Sequence, residues 1–512
     1  MNNKGNKSSP SINNGEGTPL LAHQHSSASS SSSSEVGVNK TTQSFSLELV
    51  AVLLSFGWSI SGVVLTNQII FQTCVFLGYN DSLCALLGTN ANSTEVADLE
   101  ALVQPTAATI SMALNILISV VPALCGLFLG PWSDRFGRKP VIIIPCIGYF
   151  ITFITEAVIC HFSFSFNLTP WLYVVAHIPA AMTGGVAVVC TGMFSFLTDI
   201  TTEQNRTVRM GILQGCILAG AFLGIMSSSF ILAWTNASTI FLISGCTILF
   251  GVIFVYFAIE DSVPRRQGDA CNGLATRLRE IFRLDLLKDM FNTFFKARSG
   301  YDRGIIWLTV IIGAFTLLGT QAATLYFLYT RMKFNWTLED YTLWQSIDIL
   351  TIIIGSFLGI TIMKKLFKLP DIAIALLSVL CFASDSFIKG MATHGWQLYM
   401  STGLTPLKGT EGAALMSIAS SILPSHDIAK IFSMAMSLNG MIPLAASPLF
   451  TFIYSQTLAT APEVFNFVAA GIFSMNLLFV GIIHIFLKKR QQYQILEADD
   501  SSSAVGSNEI LA

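Results

Sequence analysis

The stretch Gly130-Pro131-Trp132-Ser133-Asp134-Arg135-Phe136-Gly137-Arg138-Lys139 lies between two long apolar runs, at about 107–131 and 140–160. It is a short charged loop. Gly137 permits a tight turn, and Asp134 can accept from backbone N–H groups at a facing helix start. Outward from this loop, apolar runs recur at about 46–70, 171–198, 207–233, 238–259, 304–329, 341–363, 371–392, 396–421, 428–456 and 463–487. A spanning helix needs about 20 apolar residues. The pattern therefore predicts an all-α integral membrane fold of twelve transmembrane helices in two six-helix halves.

Composition agrees. The chain of 512 residues is 52% hydrophobic and only 11% charged, with a mean hydropathy of +0.63. Soluble domains carry about 25% charge. Soluble enzymes and nucleic-acid binders are poor fits, and a net charge of −2 offers no phosphate-seeking surface. Most of the 10 Cys lie in apolar runs, where Cys behaves as a small hydrophobe. Cys74 and Cys84 are the exception, and their pairing depends on that segment facing an oxidising compartment. No Cys-x-x-Cys or similar metal spacing occurs, so neither a metal nor a cofactor is expected.

The division that follows is a polar, low-complexity cytosolic tail at 1–44 with a serine run from Ser29 to Ser34, read as disordered; a six-helix bundle at 45–259; a cytosolic linker at 260–303; a second bundle at 304–487; and a cytosolic tail at 488–512. No short apolar stretch follows a basic start in the first tail, so it is not a cleavable signal. Orientation follows from cations in short loops. Arg135, Arg138 and Lys139, then Lys364, Lys365 and Lys368, then Lys488, Lys489 and Arg490 share one side by parity, expected to be cytosolic. The opposite loop at about 72–106 has four acids, no Lys or Arg, and glycosylation sequons at Asn80 and Asn92. The halves look like a parallel repeat: Gly126-Leu127-Phe128-Leu129-Gly130 after span 2 matches Gly355-Ser356-Phe357-Leu358-Gly359 after span 8. Two six-helix halves with binding at their midplane interface are a transporter architecture.

The loop Gly130 to Lys139 resembles the loop 2–3 signature of the major facilitator superfamily: a Gly, three variable residues, Asp-Arg, one variable, Gly and two basics. The resemblance implies a conformational latch of Gly130, Asp134, Arg135, Gly137, Arg138 and Lys139, with Asp199 at the end of span 4 as the partner of Arg138. A receptor that kept the fold without transporting has no need of such a latch. An integral-membrane enzyme is also disfavoured, since no loop offers a catalytic His/Asp or Ser/His cluster. Further segments resemble the proton-coupled folate transporter family, solute carrier family 46: Leu77-Gly78-Tyr79-Asn80, Thr198-Asp199-Ile200, Arg206 to Met210, Thr324-Leu325-Tyr326 and Leu404-Thr405-Pro406. This implies secondary transport of organic anions or amphipathic metabolites by alternating access, often with protons. Gln214 stands where the folate transporters carry Glu in span 5, and span 7 has Gln321 but no His. The lysosomal and thymic branches are thus better templates than the folate transporter, and a plasma-membrane importer of folate-like anions is the alternative.

Ionisable residues inside spans are costly and mark function. Glu156, His177, Asp348, Asp385, Lys408 and Glu411 qualify. Lys408 and Glu411 are three apart and share a helix face; either they neutralise each other or Lys408 meets an anionic substrate. Asp348 is placed toward the cavity. Asp385 and Glu156 are read as snorkelling or capping near the far ends of their spans. Asn67 and Gln68 either line the entry or bond between helices. The glycines of span 5 are read as packing. His177 is the expected proton carrier, with an unperturbed pKa of about 6.5. In the tails, Glu16 with Leu20 and Leu21 resembles an acidic dileucine signal, and Tyr493 with Leu496 a tyrosine signal. Both are read by clathrin adaptors, which favours an endolysosomal membrane. The expected partners are a small-molecule substrate, protons, membrane lipid and those adaptors.

Overall fold

A computed structural model describes residues 28–87, 94–163, 166–201, 203–261, 301–422 and 438–509, with isolated positions at 288, 292, 295, 296, 431, 434 and 435. Side chains are described from Phe45 to Tyr493, again with gaps. Glu16, Leu20, Leu21 and Asn92 lie outside the described residues, as does most of 262–300.

Among the described residues, ten helices are long and apolar enough to cross a membrane. They are Phe45–Phe76, Asp98–Leu129, Lys139–Ser163, Leu172–Ile200, Arg209–Trp234, Ala237–Ala258, Asp302–Phe334, Leu338–Lys365, Asp371–Met391 and Val464–Tyr493. These are spans 1 to 9 and span 12 of the sequence reading. Span 10 is present but broken: Trp396–Leu404 and Glu411–Ser420 flank a tight 3-10 turn, Pro406–Thr410. Pro406 supplies no N–H and restricts the residue before it, so the α-helix ends there. Span 11 is described as Pro443–Thr457, the remainder of its run lying largely outside the described residues. The first helix reaches back to Ala28 and the last continues to Glu509, so both extend beyond their apolar runs.

Spans 4 and 7 are also interrupted. Span 4 consists of Leu172–Ala176, Ile178–Met182 and Gly185–Ile200, with His177 at the first joint. Span 7 tightens to a 3-10 turn at Gln321–Leu325. Such discontinuities inside a membrane place polar backbone where side chains and cavities can satisfy it. The glycines of span 5 serve close packing: a Cβ on Gly220 would collide with Val52 O, and one on Gly224 would lie 2.8 Å from Phe56 O. Span 5 therefore rests directly on the backbone of span 1.

We call the face of the basic loops inner and the opposite face outer. On the outer side a single apolar cluster contains residues of both halves, from Ile60 and Tyr173 to Trp344 and Phe473. Toward the inner side each half keeps its own: one around Leu47, Tyr149 and Phe196, the other around Ile312, Ile374 and Val480. The halves are thus fused outside and separately packed inside. At the outer end of span 1, Cys74 and Cys84 form a disulfide with Cα atoms 5.8 Å apart, tying the helix to the short helix Asp81–Cys84.

Candidate functional site

Four charged side chains meet in the second half. Lys408, in the 3-10 turn that breaks span 10, donates through Nζ to Asp348 Oδ1 of span 8 at 2.9 Å and to Asp385 Oδ2 of span 9 at 3.0 Å. Lys389 donates to the same Asp385 oxygen at 2.8 Å. Its ammonium lies 4.8 Å from the Tyr326 ring centre and 4.9 Å from that of Trp344. Asp385, Lys389 and Lys408 are buried. Such charges persist inside a protein only when paired, and here two cations face two carboxylates. The turn at Pro406 is what delivers Lys408, because the 3-10 winding carries its side chain toward spans 8 and 9. Asp385 is therefore not snorkelling; it is the shared centre of the cluster. Lys408 turns to Asp348 and Asp385, while Glu411 accepts from Thr316 Oγ1 at 2.6 Å and leaves Oε2 without a partner.

The first half holds one buried acid–base pair. His177 Nδ1 lies 3.0 Å from Tyr173 O and 3.2 Å from Glu156 Oε1 of span 3. Glu156 is fully buried and neither of its oxygens has a hydrogen bond among the described residues, so its reading as a snorkelling or capping group is corrected. Between the halves, Asn115 Nδ2 of span 2 donates to Gln321 Oε1 of span 7 and to Ser447 Oγ of span 11, both at 2.7 Å. Gln214 is exposed on span 5.

The inner loop is a connected set. Arg138 Nε donates to Asp199 Oδ2 at 3.0 Å, Arg138 Nη1 to Ser133 Oγ at 2.6 Å, and the Arg138 backbone N–H to Asp261 Oδ1 at 2.9 Å. Lys139 Nζ donates to Tyr256 O at 2.6 Å. Gly137 has φ +108°, and a Cβ there would collide with the Asp261 carboxylate. The loop therefore bridges the inner ends of spans 2, 4 and 6. The side chains of Gly130, Asp134 and Arg135 lie outside the description.

A polar seam closes the outer side. Arg331 of span 7 is buried; its Nε donates to Glu100 Oε1 at 2.7 Å and its Nη1 to Asn67 Oδ1 at 2.8 Å. Gln104 Nε2 donates to Leu328 O at 3.2 Å, Tyr454 Oη to Gln104 Oε1 at 2.7 Å, and Thr342 Oγ1 to Ser229 Oγ at 2.9 Å. Each of these bonds crosses from one half to the other. Sequence reasoning missed Lys389, Gln104, Asn115 and Tyr454. Lys389 carried a usable signal, since it sits four residues after Asp385. The others are neutral or terminal residues whose partners lie in the opposite half. Of the tail and loop candidates, Asn80 is exposed and its side chain accepts from Ser82 N at 3.4 Å. Tyr493 is exposed on the last helix, and the side chain of Leu496 lies outside the description.

The Major Facilitator Superfamily profile matches residues 47–448. A Drosophila melanogaster protein named as a probable peptidoglycan muropeptide transporter SLC46 is 29% identical over 85% of both chains. The Bos taurus proton-coupled folate transporter is 22% identical over 85% of this chain and 91% of its own. The human lysosomal proton-coupled steroid conjugate and bile acid symporter SLC46A3 is 22% identical over 75% and 81%. Among solved structures, the human organic anion transporter MFSD10 superposes with a TM-score of 0.59 at 13% identity, covering 86% of this chain and 99% of that one. A peptide transporter POT in complex with sulfate gives 0.57 at 14% identity, covering 86% and 95%. The broken spans, the inner loop and the charges held within the spans have a common setting: the chain belongs to the Major Facilitator Superfamily, resembles its solute carrier family 46 members, and is a multi-pass secondary transporter, not an enzyme.

Proposed function

We propose that this transporter carries a small amphipathic organic anion, together with protons, out of an acidic lumen into the cytosol. One observation carries the reading: Lys408 sits at the break of span 10 with Asp348 at 2.9 Å and Asp385 at 3.0 Å. An anion arriving at Lys408 competes with those carboxylates, and a proton taken up by one of them lets the exchange proceed without leaving a bare buried charge. Beside Lys408, Leu407 and Pro406 line an apolar recess of about 540 Å³ with Ile354, Leu358, Ile362 and Phe367. It suits the body of an amphipathic molecule. The muropeptides, folate, and steroid conjugates and bile acids named for the relatives fit the same description. In the first half, the pair His177–Glu156 is the proton-handling partner. Gln214 in place of a carboxylate disfavours a folate importer.

The test is flux of a muropeptide, muramyl dipeptide, from protein-reconstituted vesicles with an acidified interior. Lys408→Gln should reduce it at least about tenfold, the scale of one lost charge-assisted contact. Gradient-independent flux, or full activity of Lys408→Gln at equal incorporation, overturns the reading. The endolysosomal address rests on Leu20 and Leu21 in the clathrin-adaptor motif, with Tyr493 and Leu496 a second signal that must unwind from its helix to be read. Replacing both leucines by Ala should move the protein to the cell surface; a wild type already resident there refutes the address. Glycosylation at Asn80 and Asn92 fits a lumen-facing loop.

A further inference from the structure

We propose that the outer face carries an entry site for the anionic group of the cargo, in which Arg331 is the receiving cation and Glu100 the internal anion that the cargo displaces. The inference rests on the organic-anion reading above, and it adds a second, peripheral site to the one at Lys408. A niche of about 470 Å³ opens at the outer side, walled by Asn67, Gln68, Phe71, Ser82, Leu232 and Arg331. The disulfide Cys74–Cys84 holds one wall in place.

Arg331 is 3% exposed, and its Nη2 has no partner among the described residues. Gln68, 7% exposed, lines the same wall. A buried, charged donor without a partner is an unmet demand for an acceptor. A guanidinium fork holds a carboxylate through two parallel bonds. At present Glu100 occupies only Nε, at 2.7 Å, and Glu100 Oε1 also accepts from Gln104 at 3.2 Å. Phe71, Ile70 and Leu232 supply an apolar wall for the body of the guest. Asp81, exposed at the rim, disfavours dianions, so the site suits a monoanion.

Glu100 belongs to the first half and Arg331 to the second. A guest carboxylate that takes the place of Glu100 on Arg331 therefore breaks the ion pair that joins the halves across this seam. Arrival of cargo would loosen the seam that blocks its own path, and an empty carrier would stay shut.

Hippurate, an aromatic monocarboxylate of suitable size, and its uncharged amide are the probes, read by thermal shift on the purified full-length protein. Hippurate should stabilise wild type and the amide should not. Glu100→Gln should bind hippurate about tenfold tighter, because Arg331 is released from its internal partner, and Arg331→Gln should lose the shift. No hippurate shift on wild type, or equal hippurate affinity in wild type and Glu100→Gln, overturns the proposal. Should Arg331→Gln not fold, the Glu100→Gln arm decides alone. A shift that survives Arg331→Gln and vanishes in Lys408→Gln places the anion at the central cluster only. The entry site then falls while the transport reading stands; loss of muropeptide flux with the niche result intact is the converse.

Discussion

Lys408 has two carboxylates within 3.0 Å and little access to water. Replacing it by Gln strands Asp348, since Asp385 keeps its bond from Lys389, and breaking a buried pair costs roughly 3–5 kcal/mol. The double variant Lys408→Gln with Asp348→Asn leaves Asp385 paired to Lys389, and should recover most of that loss in thermal unfolding yet remain transport-dead. Equal stability of single and double variants would detach Lys408 from this cluster. His177 makes a second residue-level prediction. Its imidazole is buried 3.2 Å from Glu156, and this pair is the one proposed to carry the proton. His177→Gln keeps a hydrogen-bonding side chain that does not titrate there. Such a variant should exchange substrate at equilibrium but lose acceleration by a proton gradient, measured as counterflow against gradient-driven flux. The identities of the charged residues were readable, because an ionisable group in an apolar run is conspicuous. Their partners were not, since Asp348 and Asp385 lie 60 and 23 positions from Lys408. The nearer Glu411 looked like its mate only under the assumption of an unbroken helix.

At the scale of elements, the spans themselves were legible as apolar runs, and so was the inner loop, whose resemblance to the superfamily signature implies the pairing of Arg138 with Asp199. The interruptions were harder. Span 10 breaks at Pro406, a residue that an apolar window tolerates, and span 4 bends at His177, just before Pro179 in the first turn of the next segment. The inner loop offers a clean element-level prediction. Gly137 combines φ +108° with a site where any Cβ meets Asp261. Gly137→Ala should strain the turn by about 1–3 kcal/mol and detach the Arg138 backbone from Asp261. Transport should fall severalfold while binding of muramyl dipeptide, measured on purified protein, stays within a factor of about two, since the loop is remote from the midplane. Equal losses of binding and transport would mean that the loop has a structural role alone.

For the whole molecule, bonds between the halves close the outer seam, while toward the inner side each half keeps its own apolar cluster. Ser229 and Thr342 face each other across it with their oxygens 2.9 Å apart. The pair Ser229→Cys and Thr342→Cys should oxidise readily and arrest transport, and a reductant should restore it. Undiminished flux after complete cross-linking would show that the outer seam need not part. No pattern within one half could have announced this seam, because its bonds join residues as distant as Gln104 and Tyr454.

The balance of the central cluster bears on the electrical life of the membrane. Lys389, Lys408, Asp348 and Asp385 together carry no net charge. A carrier whose moving core is neutral does no work against the transmembrane voltage when it resets, whereas each uncompensated elementary charge would meet about 2.3 kcal/mol per 100 mV. One monoanion taken up with one proton keeps that neutrality on the loaded stroke as well. The cycle then draws on the chemical gradient of protons and is blind to the potential, which fits a compartment that stores its energy chiefly as acidity.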